Sequence, residues 1–339
     1  KILYHWRSSK NSVASDPNAK PYTAKSGILA VKEHLQRCGL NATVESSPIH
    51  PNVYRIKYEL VATPLISILI PNKDHIDELS RCIDSIRDKS TYTNYEIIVI
   101  ENNSTEKRTF EYYDKIKQIS NIRVITCDTN GEFNYSAVNN YAVNYSNGEQ
   151  IILLNNDIEI ITNNWMEEML MYSQREDVGA VGAKLYYPND TIQHAGVIVG
   201  IKGVAGHSHQ FMPRDTVGYM FRCYVPQDLS AVTAACVMMK KSVFKEVGGL
   251  DEEHFKVAFN DIDLCMKIRK AGYLVVWTPY AEAYHYESIS RGAEDTPEKQ
   301  ERFRGEVAAF MSKWKKELDM GDPYYNPNLT LEKEDFSIK

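Results

Sequence analysis

The sequence predicts an α/β protein: a doubly wound, mostly parallel sheet with a small N-terminal extension and a C-terminal helix. Three observations carry this expectation. Residues 66–70 (ISILI), 97–100 (IIVI) and 151–154 (IILL) are nearly continuous apolar runs of strand length. Strands that read this way are buried on both faces, as in parallel sheets covered by helices. Between the runs lie segments with helical periodicity, such as Ile76, Leu79, Cys82, Ile83 and Ile86, spaced by three or four or adjacent on one face. Each run also ends in a polar cluster, which matters for function.

Taken in order, residues 21–39 predict a helix with Ile28, Val31 and Leu35 on one stripe and Gly39 as its stop. Residues 53–60 alternate in polarity and predict an edge strand. The main body begins near Pro64. There a strand at 66–70, a helix from 76, a strand at 97–100, a helix at 133–143 and a strand at 151–154 alternate, the pattern of a doubly wound unit. The second half reads as mixed. It has a short helix at 165–172, strands at 178–185 and 196–201, and a helical turn at 242–247 before Gly248-Gly249. A helix at 260–271 is stopped by Gly272, strands follow at 273–277 and 281–286, and a long amphipathic helix spans 296–318. Phe303, Val307, Phe310 and Trp314 share one face of that helix, read first as core packing and second as a self-association surface making a homo-oligomer. Residues 321–339 form a tail whose first part is rich in Pro, Tyr and Asn.

Composition narrows the function. The chain has 339 residues, 43% hydrophobic and 25% charged, which excludes disordered and low-complexity classes. A net charge of −6 argues against a nucleic-acid partner. No apolar run approaches the roughly 18 residues of a membrane span. The six cysteines (38, 82, 127, 223, 236, 265) lack CxxC spacing, so neither a zinc cluster nor a disulfide framework is expected, and a reduced, cytoplasmic compartment is. The first residue is Lys1 rather than Met, which leads us to expect a longer protein with a further domain upstream.

The three strand ends carry Pro71-Asn72-Lys73-Asp74, Glu101-Asn102-Asn103-Ser104 and Asn155-Asn156-Asp157. Ligands of open parallel sheets bind beyond the carboxyl ends of the strands. Any one polar loop is unremarkable, whereas three rich in Asn and acid predict a shared crevice. Neither GxGxxG nor GxxxxGK[ST] follows the first strand. A pyrophosphate ligand would then need a metal, and Asp157 is the natural carboxylate for Mg²⁺ or Mn²⁺. In Asn260-Asp261-Ile262-Asp263-Leu264, Asp261 shares a stripe with Leu264, Cys265 and Ile268. It sits in the first helical turn, where the dipole favours an ionised carboxylate able to accept a proton. The plainer alternative is an N-cap at Asp261 or Asn260. A third cluster, residues 284–288 (YHYES), offers His285 as a metal or phosphate contact, or as an ordinary core histidine. The His207-Ser-His209 pair lies in a Gly-bearing stretch read as a mobile loop near a site, with no assigned chemistry.

These segments resemble family 2 glycosyltransferases of the GT-A fold. Ile66-Ser-Ile-Leu-Ile-Pro-Asn-Lys-Asp74 resembles the family's opening strand. Tyr95-Glu-Ile-Ile-Val-Ile-Glu-Asn-Asn-Ser104 resembles its second, which commonly ends Asp-Asp-Gly-Ser. Asn147-Gly-Glu-Gln-Ile-Ile-Leu-Leu-Asn-Asn-Asp157 is similar to the stretch ending in its DxD motif. Phe259-Asn-Asp-Ile-Asp-Leu-Cys-Met-Lys-Ile-Arg-Lys-Ala-Gly-Tyr273 is similar to its "ED" helix. The likeness covers about residues 64–290, and the flanking parts resemble a bacterial, rhamnosyltransferase-like subgroup acting on polysaccharide or glycoprotein glycans.

The resemblance implies a division into residues 1–62 as an extension, 63–320 as a GT-A glycosyltransferase domain, with 63–160 its nucleotide-binding half and 161–290 its acceptor and catalytic half, and 321–339 as a tail. It places Pro71, Asn72 and Lys73 at the nucleotide, Glu101 and Asn102 at the base, and Asn156 and Asp157 at the ribose, metal and diphosphate. Asp261 takes the place of the general base, and His285 a position used for metal or diphosphate. Residues 228–236 and Trp277 would wall the sugar site. Four amides depart from the pattern: Asn102 and Asn155-Asn156 replace acids, and Asn260 replaces the Glu of "ED". The implied activity is an inverting, Mn²⁺- or Mg²⁺-dependent transfer of a hexose from UDP-glucose or UDP-galactose to a hydroxyl of a glycan or glycoprotein. The alternatives are a dTDP-rhamnose-dependent rhamnosyltransferase and a degenerate glycan-binding module. A nucleotidyltransferase would show a Gly- and Arg-rich loop after the first strand, which Pro71-Asn72-Lys73-Asp74 does not provide.

Overall fold

The computed structural model describes residues 4–5, 20, 22–129, 131, 133–287 and 296–339; Lys1, Pro21 and Ser288, named above, lie outside them. The chain divides into two compact units, Lys1–Val61 and Ala62–Lys339. The first holds a helix, α1 (Tyr22–Arg37), and an antiparallel hairpin of β1 (Ala42–Ser46) and β2 (Tyr54–Tyr58). Gly39 takes a left-handed φ of 68° after the helix, a conformation glycine adopts without strain. The alternating segment becomes β2, and its partner β1 was not foreseen, since only Val44 of its five residues is buried.

The second unit begins with β3 (Ile66–Asn72), α2 (Ile76–Lys89), β4 (Tyr95–Glu101), α3 (Lys107–Ile116) and β5 (Ile122–Thr126). It continues with α4 (Tyr135–Tyr145), β6 (Gln150–Leu154), β7 (Ile158–Ile160), α5 (Trp165–Ser173) and β8 (Val178–Tyr186). Then come β9 (Ile192–His194), β10 (Val197–Val199), β11 (Ala205–His207), β12 (Gln227–Asp228), β13 (Cys236–Lys240) and α6 (Lys241–Glu246). Last are α7 (Asn260–Lys270), β14 (Leu274–His285), α8 (Pro297–Lys313) and α9 (Lys315–Met320).

Ten strands form one sheet in the order β12-β14-β8-β13-β6-β3-β4-β5, with β7 added to β14 and β9 to β8. The half β5-β4-β3-β6 is wholly parallel. β13 then runs antiparallel to both β6 and β8, and β8 and β14 are parallel to each other. Every residue of β3, β6 and β8 is buried, the polar Ser67, Gln150 and Lys184 included. The tips of β3 and β6 therefore open on the same edge, beside the start of β13.

Two expected boundaries differ. The segments expected as strands at 273–277 and 281–286 form one strand, β14, with a register shift between Trp277 and Glu282. The helix expected over 296–318 is two, α8 and α9, because Trp314 leaves helical geometry (φ −109°, ψ 21°). Its buried indole donates to a carboxylate oxygen of the fully buried Asp263 at 2.8 Å.

Candidate active site

At the tip of β3, the Asn72 amide nitrogen donates to the Asp74 carbonyl (2.9 Å) and the Tyr113 hydroxyl (2.8 Å). Its oxygen accepts from the Asn156 amide at 2.7 Å, joining the β3 and β6 tips. Asp74 turns the other way and caps α3 from outside, accepting from the backbone N–H of Thr105 (3.0 Å) and Glu106 (2.9 Å) and from the Thr109 hydroxyl (3.0 Å). Burial alone would raise its pKa. The donors from Glu106 and Thr105 outweigh burial and hold it below the ordinary carboxylate value.

A cleft of about 430 Å³ opens over these tips. Pro71, Asn72, Lys73, Asn156, Asp157, Asp261 and His285 all line it, so the candidate residues of β3, β6, α7 and β14 meet in one space. Glu101 and Asn102 are not among its lining residues. The Glu101 carboxylate accepts from the Ser104 N–H and hydroxyl, both at 2.6 Å. The Asn102 amide donates to the Cys127 carbonyl (2.7 Å) and the Thr129 hydroxyl (3.0 Å). Both side chains are committed to building the loop after β4.

His285 comes to Asp157 because β14 pairs with β7, register His285 to Ile158, and Tyr286 N–H donates to the Asp157 carbonyl at 3.0 Å. Its tautomer is set from behind. Gln193 donates its amide N–H to Glu287 at 2.8 Å, which leaves the amide oxygen facing His285 Nδ1 at 2.7 Å. Nδ1 therefore carries the hydrogen, and Nε2 presents a lone pair towards Asn155 Nδ2 and Asp157 Oδ1, each 3.2 Å away. Asp157 Oδ1 is buried and accepts no hydrogen bond. An unpartnered carboxylate oxygen beside an imidazole lone pair, with the ring braced through its other nitrogen, is a donor set that fits a divalent cation. Among the described residues no three His, Cys, Asp or Glu side chains converge. Two protein ligands suit Mg²⁺ or Mn²⁺ when phosphate oxygens and water complete the shell.

Asp261 faces the cleft from the first turn of α7. The N-cap position belongs to Phe259, left-handed at φ 59° and without a side-chain cap, so the capping alternative for Asp261 and Asn260 does not hold. Asp261 Oδ2 accepts from the Ala234 N–H at 3.2 Å and Oδ1 from Ile262 N–H at 2.8 Å. Residues 233–235 run along the β6 tip, where the Ala235 carbonyl accepts from Asn155 N–H at 3.0 Å. This segment links Asp261 to the Asn155–Asp157 tip. Tyr135 sits behind it, its hydroxyl donating to the Ala234 carbonyl at 3.1 Å. Burial, then the nearby Asp261, push the Tyr135 hydroxyl far above its ordinary pKa.

Sequence reasoning missed several lining residues: Phe133, Gln193, Gln210, Glu287, and Lys299 and Arg302 from α8. The last two are cations spaced three apart in the first turns of an amphipathic helix, a signal that was legible. The HxH pair splits: His207 lines the cleft, whereas His209 is buried and stacked on Phe336 at 4.5 Å. Burial, helped by Arg222 and Lys184, lowers the His209 pKa to about 4.

A half-parallel, half-mixed sheet whose strand tips gather carboxylates, amides and a braced histidine is an architecture of the GT-A type. Residues 67–248, more than half of the chain, match the family described as Glycosyl transferase family 2, and the chain belongs to that family. It is 49% identical over its whole length to the "Uncharacterized protein y4gI" of Sinorhizobium fredii, of which it covers 37%. It is 36% identical over 99% of its length to the O-antigen biosynthesis protein RfbC of Myxococcus xanthus, of which it covers 26%. The chain thus spans a little over a third of the first relative's length and about a quarter of the second's. The mannosyltransferase PcManGT from Pyrobaculum calidifontis, solved with GDP-Man and Mn²⁺, shares its fold. The TM-score is 0.54 at 12% identity, over 87% of this chain and 73% of that one. No helix of the described residues is long and apolar enough to cross a membrane.

Proposed function

We propose that this chain is the donor-binding and catalytic domain of an inverting, divalent-metal-dependent hexosyltransferase that glycosylates a hydroxyl of a growing surface polysaccharide. The observation that carries the reading is the buried Asp157 oxygen that accepts no hydrogen bond and lies 3.2 Å from His285 Nε2, in the same cleft as the Asp261 carboxylate. The names of two similar proteins support it: one is an O-antigen biosynthesis protein, the other was solved with a nucleotide sugar and Mn²⁺.

Asp157 and His285 would hold the cation, which when bound supplies charge neutralisation on the donor diphosphate. Lys73, Lys299 and Arg302 bring fixed positive charge to the same space, favouring an anionic donor and its more anionic leaving group. Asp261 takes the proton of the acceptor hydroxyl while that oxygen forms its bond to the anomeric carbon. The bond from the anomeric carbon to the diphosphate oxygen breaks as the nucleoside diphosphate leaves. Two backbone donors keep the Asp261 carboxylate aimed, so positioning adds to general-base assistance. Glu101 and Asn102 serve the site from behind, by shaping the loop after β4.

Calorimetric titration of UDP, GDP and dTDP tests this reading. We expect at least one to bind tightly only with Mn²⁺ or Mg²⁺ present, and Asp157→Ala to abolish the metal-dependent part. Equal affinity with and without metal would contradict it. Nucleoside diphosphate release from UDP-glucose, UDP-galactose and dTDP-rhamnose then identifies the donor.

A further inference from the structure

Phe211 is 65% exposed and holds a left-handed φ of 65°, a conformation rare for a bulky side chain and one that persists where the surroundings enforce it. Its N–H donates to the Ile192 carbonyl at 2.8 Å, and Ile192 N–H donates to the Met212 carbonyl at 2.8 Å, so the loop is clamped against β9. The ring lies flat on Tyr187, with centroids 5.2 Å apart and planes 4° from parallel.

This aromatic pair is joined to the cleft. The Tyr187 hydroxyl accepts from the Gln210 amide at 2.8 Å, and it lies against Glu287. Gln210 and Glu287 both line the cleft. Burial, followed by Glu287, raises the Tyr187 pKa to about 12, so the hydroxyl stays a donor at neutral pH. Sheet order separates the pair from the donor end: Tyr187 follows β8, and β13 and β6 intervene between β8 and β3. Its neighbours are polar, with Asp190 N–H donating to the Tyr187 carbonyl and Arg214 bridging Asp190 at 3.2 Å. An open ring with hydrogen-bonding groups beside it suits a pyranose, which has a C–H face and a polar edge. A protein-docking patch needs several hundred Å² of contiguous apolar surface.

Building on the function proposed above, we propose that Phe211, backed by Tyr187, is an acceptor subsite on which a pyranose ring of the acceptor glycan stacks, with Gln210 and Glu287 offering hydrogen bonds to its hydroxyls. Saturation-transfer NMR tests this with methyl pyranosides of glucose, galactose, rhamnose and N-acetylglucosamine, on the full chain with UDP and Mn²⁺. Phe211→Gly removes the ring and relieves the backbone, so the fold is kept; Phe211→Trp retains an aromatic face. We expect at least one pyranoside to receive saturation on the C–H protons of one face. Its Kd should weaken roughly twofold to tenfold in Phe211→Gly and be kept in Phe211→Trp. UDP affinity should be unchanged in both. Unchanged pyranoside affinity in Phe211→Gly, or no pyranoside binding to the wild type, would overturn the subsite. Pyranoside binding through Phe211 in a protein that binds no nucleoside diphosphate would support the subsite and contradict the donor reading.

Discussion

Two acids two positions apart, Asp261 and Asp263, show what one residue's surroundings decide. Asp263 is fully buried, accepts from the Trp314 indole and pairs with Lys313 at 2.8 Å; Asp261 faces the cleft. The helical stripe of Leu264, Cys265 and Ile268 did not separate them, because Ile262, Asp263 and Met266 are buried too, so α7 is covered nearly all round. The stripe and the first-turn position marked Asp261 as a candidate, and the family resemblance matched it to the general base. Gln193 was invisible in the sequence, since its effect is on the imidazole of a residue 92 positions away. Gln193→Leu removes the acceptor that fixes the His285 tautomer, and loss of such a brace typically weakens metal binding about 10–100-fold. We expect a weakening of that order for Mn²⁺ with UDP, read by paramagnetic resonance titration; wild-type affinity would show that the tautomer is set elsewhere.

At the scale of elements, the alternation of strand and helix around β3, β4 and β6 was plain because each strand carries a nearly continuous apolar run. α3, β5 and β13 were not foreseen. α3 mixes charges with aromatic residues, β5 is five residues long and carries Arg123 as its second residue, and β13 is anchored by pairing with β6 and β8. The break at Trp314 escaped notice because Phe310, Trp314 and Leu318 keep a spacing of four across it; the indole at the break donates to Asp263, a partner remote in sequence. We expect Trp314→Phe, which leaves Asp263 short of a donor, to cost about 1–3 kcal/mol in urea denaturation. An unchanged midpoint would remove this hydrogen bond from the account. The first turns of α8 carry Lys299 and Arg302 into the cleft. The double change Lys299→Ala with Arg302→Ala should raise the donor KM, and because Arg302 also lies 3.5 Å from the buried Glu306 carboxylate the unfolding midpoint is read on the same variant. Wild-type kinetics would assign the cations to structure alone.

For the whole molecule, ionisation ties stability to pH in two stages. His194 and His209 are held neutral, mainly by burial, with pKa values below the ordinary 6.5. The unfolded chain takes up these protons first, so stability is full above pH 6.5 and falls as the pH drops towards about 4. Asp74 and Glu96 have folded pKa values below their usual 3.8 and 4.5. In each, hydrogen bonds outweigh burial, Glu96 taking them from Ser67, Asn147 and Arg123. Their contribution is complete above about pH 4.5 and disappears as the pH falls through the folded values. Scanning fluorimetry should show a Tm that declines from pH 6.5 downward and steepens below pH 4.5; a flat Tm between 7.5 and 5 would contradict the buried neutral histidines. The same whole-molecule view holds the functional claim, because Asp157 from the parallel half of the sheet and Asp261 from beyond its mixed half meet in one cleft. Asp261→Asn tests that meeting most directly, with nucleotide binding and sugar transfer measured on the same sample. Binding of the nucleoside diphosphate should stay within about twofold of wild type while transfer falls by roughly 10²–10⁴. Transfer at the wild-type rate would contradict the assignment of Asp261 as the base.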